Sequence, residues 1–173
     1  ARRGEKLSSM TPRAPAALLA VSFITAALSL SADGAPRPAP LDVEGFARAS
    51  HIPPLADAAG PLPVVVVLHG NFDRPEWECE IWGEAAAFYG FVLCPRGVRT
   101  PWATRAEDRW TYGSAAKVGR EIEAGLEALE ARYPGRVTRA GMVLAGFSLG
   151  AILAPKLVRA SPGKYSHVFL VEG

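Results

Sequence analysis

Val143-Leu144-Ala145-Gly146-Phe147-Ser148-Leu149-Gly150-Ala151 is the stretch whose reading decides the fold. An apolar run enters Gly-x-Ser-x-Gly and leaves into small residues, as a strand does when it turns sharply into a helix with a serine at the bend. A serine hydroxyl is a weak nucleophile and gains reach when an exposed turn presents it. The turn forces strand and helix backbones together. Gly146 and Gly150 carry no Cβ to obstruct that approach, and the serine can then sit in a strained backbone conformation. Leu149 opens the following helix, so its N–H lacks a helical acceptor and points to where an oxyanion would form.

Upstream, Val64-Val65-Val66-Val67-Leu68 is a continuous apolar run between Pro63 and Gly70, the pattern of a strand buried on both faces. It runs into His69-Gly70-Asn71. Pro75 then marks a helix start, with Trp77, Ile81, Trp82, Ala85, Phe88 and Tyr89 at helical spacing and Gly90 as the stop. Phe91 to Cys94 predicts a second strand. The connection over 95–113 is long and rich in Arg, Trp and Gly, which marks it as functional or disordered. Val118, Ile122, Leu126, Leu129 and Tyr133 define one helix face, with Glu121, Glu123, Glu127 and Glu130 read as its solvated side. Met142 to Ala145 is the third strand, and the helix after Ser148 contains Pro155, which predicts a kink. His167 to Val171 is the fourth strand.

Strand and helix alternate throughout, which predicts an α/β fold: a parallel sheet with helices on both faces. Sites in such sheets lie at the carboxyl ends of the strands, where Gly70-Asn71, Pro95-Arg96 and Ser148 all fall.

The 173 residues suffice for one domain with a core, and the composition (49% hydrophobic, 21% charged) is globular. The net charge of +2 and the absence of a basic run interleaved with aromatics leave no footprint for nucleic acid. Residues 1–35 read as a signal peptide with its flanking residues: Met10, Arg13, an apolar run from Ala16 to Leu30, then small residues. This implies a secreted or periplasmic protein, with membrane attachment only through an uncleaved leader. Residues 36–61 read as a Pro-rich spacer and an irregular segment with at most one short strand, and residues 62–173 as the domain of alternating strands and helices. Export permits a disulfide between Cys79 and Cys94, the only cysteines; one buried strand thiol and one unrelated helix thiol is the equal alternative. No metal-ligand cluster stands out, Asp108 and His69 forming no recognised set. The glycine loop lacks the lysine of a phosphate site, so no cofactor is expected.

His69-Gly70 after an apolar strand, with Gly146-Phe147-Ser148-Leu149-Gly150 downstream, resembles the α/β-hydrolase superfamily over about residues 62–173. The likeness is to small esterases such as dienelactone hydrolases and the phospholipase/carboxylesterases. The resemblance implies a catalytic Ser148 and an oxyanion hole from the N–H groups of Asn71 and Leu149. It also implies support from Gly70, Gly146 and Gly150, and a His69 that orders the oxyanion loop rather than moving protons. The substrate would be a small carboxylic ester or related acyl compound. In this superfamily the acid and the histidine follow the serine. No histidine follows His167, which starts a strand at the opposite edge; Glu172 ends that strand where some lipases of the superfamily place the acid, but without a histidine partner it reads more simply as an ordinary strand-end carboxylate. The resemblance therefore implies a truncated domain, the N-terminal part of the fold without its C-terminal strands, or a non-catalytic relic that keeps the fold. Arg96, Arg99, Arg105 and Arg109, with Trp102, Trp110 and Tyr112, either frame an acidic or aromatic substrate or pack locally as a solvated loop. The oligomeric state stays open.

Overall fold

The computed structural model describes residues 36–173; the leader read in residues 1–35 lies outside the described residues. The main sheet has six strands. In chain order they are β1 (Ala39–Leu41), β2 (Ala49–Ile52), β3 (Val64–Leu68), β4 (Phe91–Cys94), β7 (Val143–Phe147) and β8 (His167–Val171). A short hairpin, β5 (Val98–Arg99) with β6 (Trp110–Thr111), stands apart. The spatial order is β1-β2-β4-β3-β7-β8. The four central and C-terminal strands are mutually parallel, with Val66 opposite Leu93 and Leu144, and Gly146 opposite Leu68 and Leu170. The sheet is thus mostly parallel, as the alternating pattern predicts.

Residues 36–61 differ from their reading as spacer and loop. Both β1 and β2 join the sheet antiparallel, β2 pairing with β4 through Ser50–Cys94, His51–Leu93 and Ile52–Val92. Leu41, Val43, Ala49 and Ile52 are buried. Prolines hid this edge because β1 is only three residues long and tolerates Pro40 as an outer strand does.

Three helices cover both faces. α2 (Ala115–Arg132) and α3 (Leu149–Ala160) pack one face, bringing Val118, Ile122, Leu126, Leu129, Leu153 and Leu157 onto Val64, Val66, Leu93 and Leu144. Ser114 starts α2 by accepting the Lys117 N–H at 3.3 Å, a normal N-cap. α3 continues through Pro155. On the other face lies α1 (Pro75–Ala86), against Ile52, Val65, Val67, Val92 and Val143.

The buried side of α1 is not its aromatic stripe. Trp77 and Ile81 are exposed, as are Phe88 and Tyr89 past the helix end, while Cys79, Gly83 and Ala86 face the sheet. Helix and sheet lie close here: a Cβ on Gly83 would run into the end of the Ile52 side chain, and Pro75 and Glu78 are buried on the same helix. The same closeness joins Cys79 to Cys94 as a disulfide with Cα atoms 5.8 Å apart, resolving the two readings of the cysteines in favour of the bridge. At the far edge, β8 pairs only with β7, and Val168, Phe169, Leu170 and Val171 are exposed.

His51 on β2 is fully buried. Its Nδ1 lies 2.9 Å from the Ala39 carbonyl oxygen and its Nε2 2.9 Å from the Tyr133 hydroxyl. A carbonyl can only accept, so Nδ1 carries the proton and Nε2 accepts from Tyr133. Burial is the main reason that its pKa drops from 6.5 to about 4, leaving it neutral when folded. The unfolded chain binds this proton below 6.5, so stability is lost as pH falls from 6.5 through about 4, by roughly 3 kcal/mol from this group. Urea titrations across that range should show a steeper acid loss for the wild type than for His51→Asn, whose curve should flatten.

Candidate active site

The site is built where β3 and β7 end side by side. Leu68 pairs with Gly146, so the residues that follow each strand, His69-Gly70-Asn71 and Phe147-Ser148-Leu149, emerge together at the sheet's carboxyl edge. They touch: a Cβ on Gly70 would lie 3.1 Å from the Phe147 ring.

Ser148 has φ 49° and ψ −110°, a conformation that L side chains rarely adopt. Its N–H donates to the Val171 carbonyl at 2.9 Å, and its own carbonyl accepts the Ile152 N–H at 3.0 Å. The bend is therefore tied to β8 on one side and to α3 on the other. Serine is a favoured helix N-cap, yet this hydroxyl makes no capping bond. The ordinary structural use of a serine here is absent. The neighbouring glycines are required by space. A Cβ on Gly146 would sit 2.6 Å from the Gly150 carbonyl carbon, and one on Gly150 would sit 2.7 Å from the Leu68 Cβ and clash with the Leu68 carbonyl oxygen. Leu149 is the first residue of α3, so its N–H has no helical acceptor.

The loop after β3 is held from several directions. The His69 side chain is buried, with Nδ1 2.7 Å from the Gly70 oxygen and Nε2 2.9 Å from the Arg96 oxygen. Burial lowers its pKa, and each ring nitrogen faces a backbone carbonyl, so a neutral ring donates its one N–H to one of the two. Asp73 accepts the Gly70 N–H at 3.2 Å and the Arg74 N–H at 2.7 Å, and exchanges backbone bonds with Trp110. Thr111 donates its hydroxyl to the Asn71 side-chain oxygen at 2.7 Å. Behind the loop, burial and then the nearby Asp73 raise the Glu78 carboxyl to about 7.

The arginine-rich connection packs partly on itself and partly on the start of α1 and the loop before it. Arg96 pairs with Glu76 and lies over Trp110 at 4.9 Å; Arg99 lies over the same ring at 4.8 Å and near Asp108 at 3.6 Å. Arg109 covers Trp77 at 4.6 Å and Phe72 at 5.5 Å. Tyr112 is buried, not a substrate-facing aromatic; its hydroxyl accepts the His69 N–H at 3.2 Å and donates to the Pro95 oxygen at 2.9 Å. Of the set, Trp102 is well exposed. Glu121 also differs from its reading as a solvated carboxylate: it is buried and accepts the N–H groups of Arg96 and Gly97 at 2.9 and 2.8 Å. Its position three residues after Val118 and four before Gly125 placed it on the inner stripe of α2, the signal that could have found it.

Neither a known family profile nor a curated protein matches the sequence. Solved structures do. A Pyrococcus horikoshii acylaminoacyl peptidase superposes on 77% of this chain with a TM-score of 0.52 and 14% identity. The chain has the α/β-hydrolase fold. It spans 22% of the peptidase's length. A bacterial heroin esterase is similar at a TM-score of 0.48 and 19% identity, over 72% of this chain and 38% of its own. A carboxylesterase, CesB (YbfK) from Bacillus subtilis, is similar at 0.47 and 16%, over 77% and 41%.

In an α/β-hydrolase fold of this geometry the turn at Ser148 depends on Gly150. Alanine there should destabilise the chain by about 2–3 kcal/mol through overpacking against Leu68. Equilibrium unfolding in urea checks this; Gly135→Ala, where open space surrounds the Cα, isolates the smaller penalty of a left-handed glycine.

Proposed function

We propose that this domain is a serine hydrolase acting on small carboxylic esters or related acyl compounds, with Ser148 as nucleophile and the N–H groups of Leu149 and Asn71 as oxyanion donors. One observation carries the reading: a strained serine at a strand-to-helix bend whose hydroxyl does not cap the helix it begins. Strain of this kind costs about 1–3 kcal/mol and persists where the surroundings over-determine it, typically at functional sites. In the proposed reaction the Ser148 Oγ attacks the acyl carbon while its proton passes to a base. The tetrahedral oxyanion is held by the two amides, the alcohol leaves with a proton, and water then releases the acid from the acyl-enzyme. The Cys79–Cys94 bridge supports an exported protein, since such bonds persist in oxidising compartments.

None of the three histidines suits the base. His51 and His69 are buried with both ring nitrogens engaged, and His167 is at the opposite end of β8, beside the Ser166 hydroxyl. In this reading the acid and histidine of a triad are not among these 173 residues. The same placement favours one other reading, a binding domain that keeps the fold without catalysis. An oxyanion hole and binding alone sustain roughly 10³-fold catalysis over water when a triad is broken. Labelling with a fluorophosphonate probe separates the two. The hydrolase reading expects modification at Ser148, well above the rate of a serine peptide and abolished in Ser148→Ala. Labelling no faster than the peptide, or unchanged in Ser148→Ala, contradicts it and leaves the binding domain.

A further inference from the structure

The polar groups behind the loop after β3 form one connected chain. Glu121, on α2, is 2% exposed and accepts the N–H groups of Arg96 and Gly97 with the same oxygen. Arg96 turns its carbonyl to His69 Nε2, and His69 turns Nδ1 to the Gly70 carbonyl. Carbonyl oxygens only accept, and a neutral imidazole has one N–H, so the two carbonyls compete for one proton. Where that proton sits decides how firmly the Gly70 carbonyl is held. The Gly70 carbonyl and the Asn71 N–H belong to one planar trans peptide and point in opposite directions. Holding the first aims the second. Tyr112 braces the arrangement, its ring 4.3 Å from the imidazole and its hydroxyl bridging the His69 N–H and the Pro95 oxygen.

We propose that Glu121 is a positioning residue: by fixing the Arg96–Gly97 turn it sets the carbonyl that competes for the His69 proton, and through His69 the direction of the Asn71 N–H. The catalytic consequence rests on the serine-hydrolase reading; the structural one does not. Glu121 touches no reacting atom. Its effect passes through backbone and one ring, from the α2 face of the sheet to the carboxyl edge where Ser148 stands. A glutamine keeps an acceptor oxygen of the same reach, whereas alanine leaves two buried N–H groups without a partner.

The test is made on the full chain, ¹⁵N-labelled, with Glu121→Ala, Glu121→Asp and Glu121→Gln. Imidazole and amide nitrogen spectra should show the His69 ring nitrogens and the Asn71 amide displaced in Glu121→Ala and Glu121→Asp. Both should return to wild-type positions in Glu121→Gln, with the His51 ring unmoved in all three. Fluorophosphonate labelling of Ser148 should fall about tenfold or more in Glu121→Ala, since a misplacement of 1 Å can cost roughly 10²-fold, and recover in Glu121→Gln. If wild type is not labelled, the hydrolase reading fails, and the spectra still decide the role of Glu121. Unchanged His69 and Asn71 signals in Glu121→Ala overturn the proposal. Should that variant not fold, unchanged signals in Glu121→Asp do so.

Discussion

Backbone proximity at the carboxyl edge is the constraint on which the remainder of the structure depends. β7 and α3 meet at an angle that leaves no room for a Cβ at Gly146 or Gly150, and α3 presses directly on Leu68 of β3. With the helix start held there, the chain at Ser148 has no relaxed path between strand and helix. Its positive φ follows from packing on either side, not from any preference of serine. The hydrogen bond from Ser148 to Val171 ties the same bend to β8, so three parallel strands and one helix over-determine a single residue.

A second layer of order lies beneath the neighbouring loop. Its groups are buried and polar, and such groups stabilise only when each finds a partner. Tyr112 and Glu121 meet that condition through backbone donors and acceptors of residues 69 and 95–97, and His69 meets it with one ring nitrogen at a time, toward the carbonyl of Gly70 or of Arg96. The elements involved are far apart in sequence, which makes the β3 loop a product of tertiary structure. The disulfide from α1 to the end of β4 anchors the same region from the opposite face of the sheet.

What was legible in the amino-acid order follows from how local each feature is. The valine run of β3 and the glycine pattern about Ser148 each state a local requirement, and from them come the sheet, its direction and the candidate nucleophile. β2 was not legible, because Ser50 and His51 look polar and find partners in Glu76, Tyr133 and the Ala39 carbonyl, none of them adjacent in the chain. α1 misled for a different reason. Large aromatics usually mark a core face, but a helix lying this close to its sheet buries its small residues and leaves Trp77 and Ile81 outside. Glu121 reads as surface in the sequence because its charge outweighs its place on the apolar stripe. Tyr112 reads as one of the loop aromatics, while its hydroxyl bonds within the interior.

The central claim is that Ser148 is strained by its neighbours. The most direct measurement is the unfolding free energy of Ser148→Gly against wild type, with Ser148→Ala as the reference that keeps a Cβ. Relief of a left-handed, non-glycine conformation exceeds the entropy a glycine adds to the unfolded chain, so the account predicts that Ser148→Gly is the more stable by about 1 kcal/mol, with Ser148→Ala gaining nothing. A glycine variant less stable than wild type would contradict it, because the bend would then be comfortable for serine and no strain would be stored there.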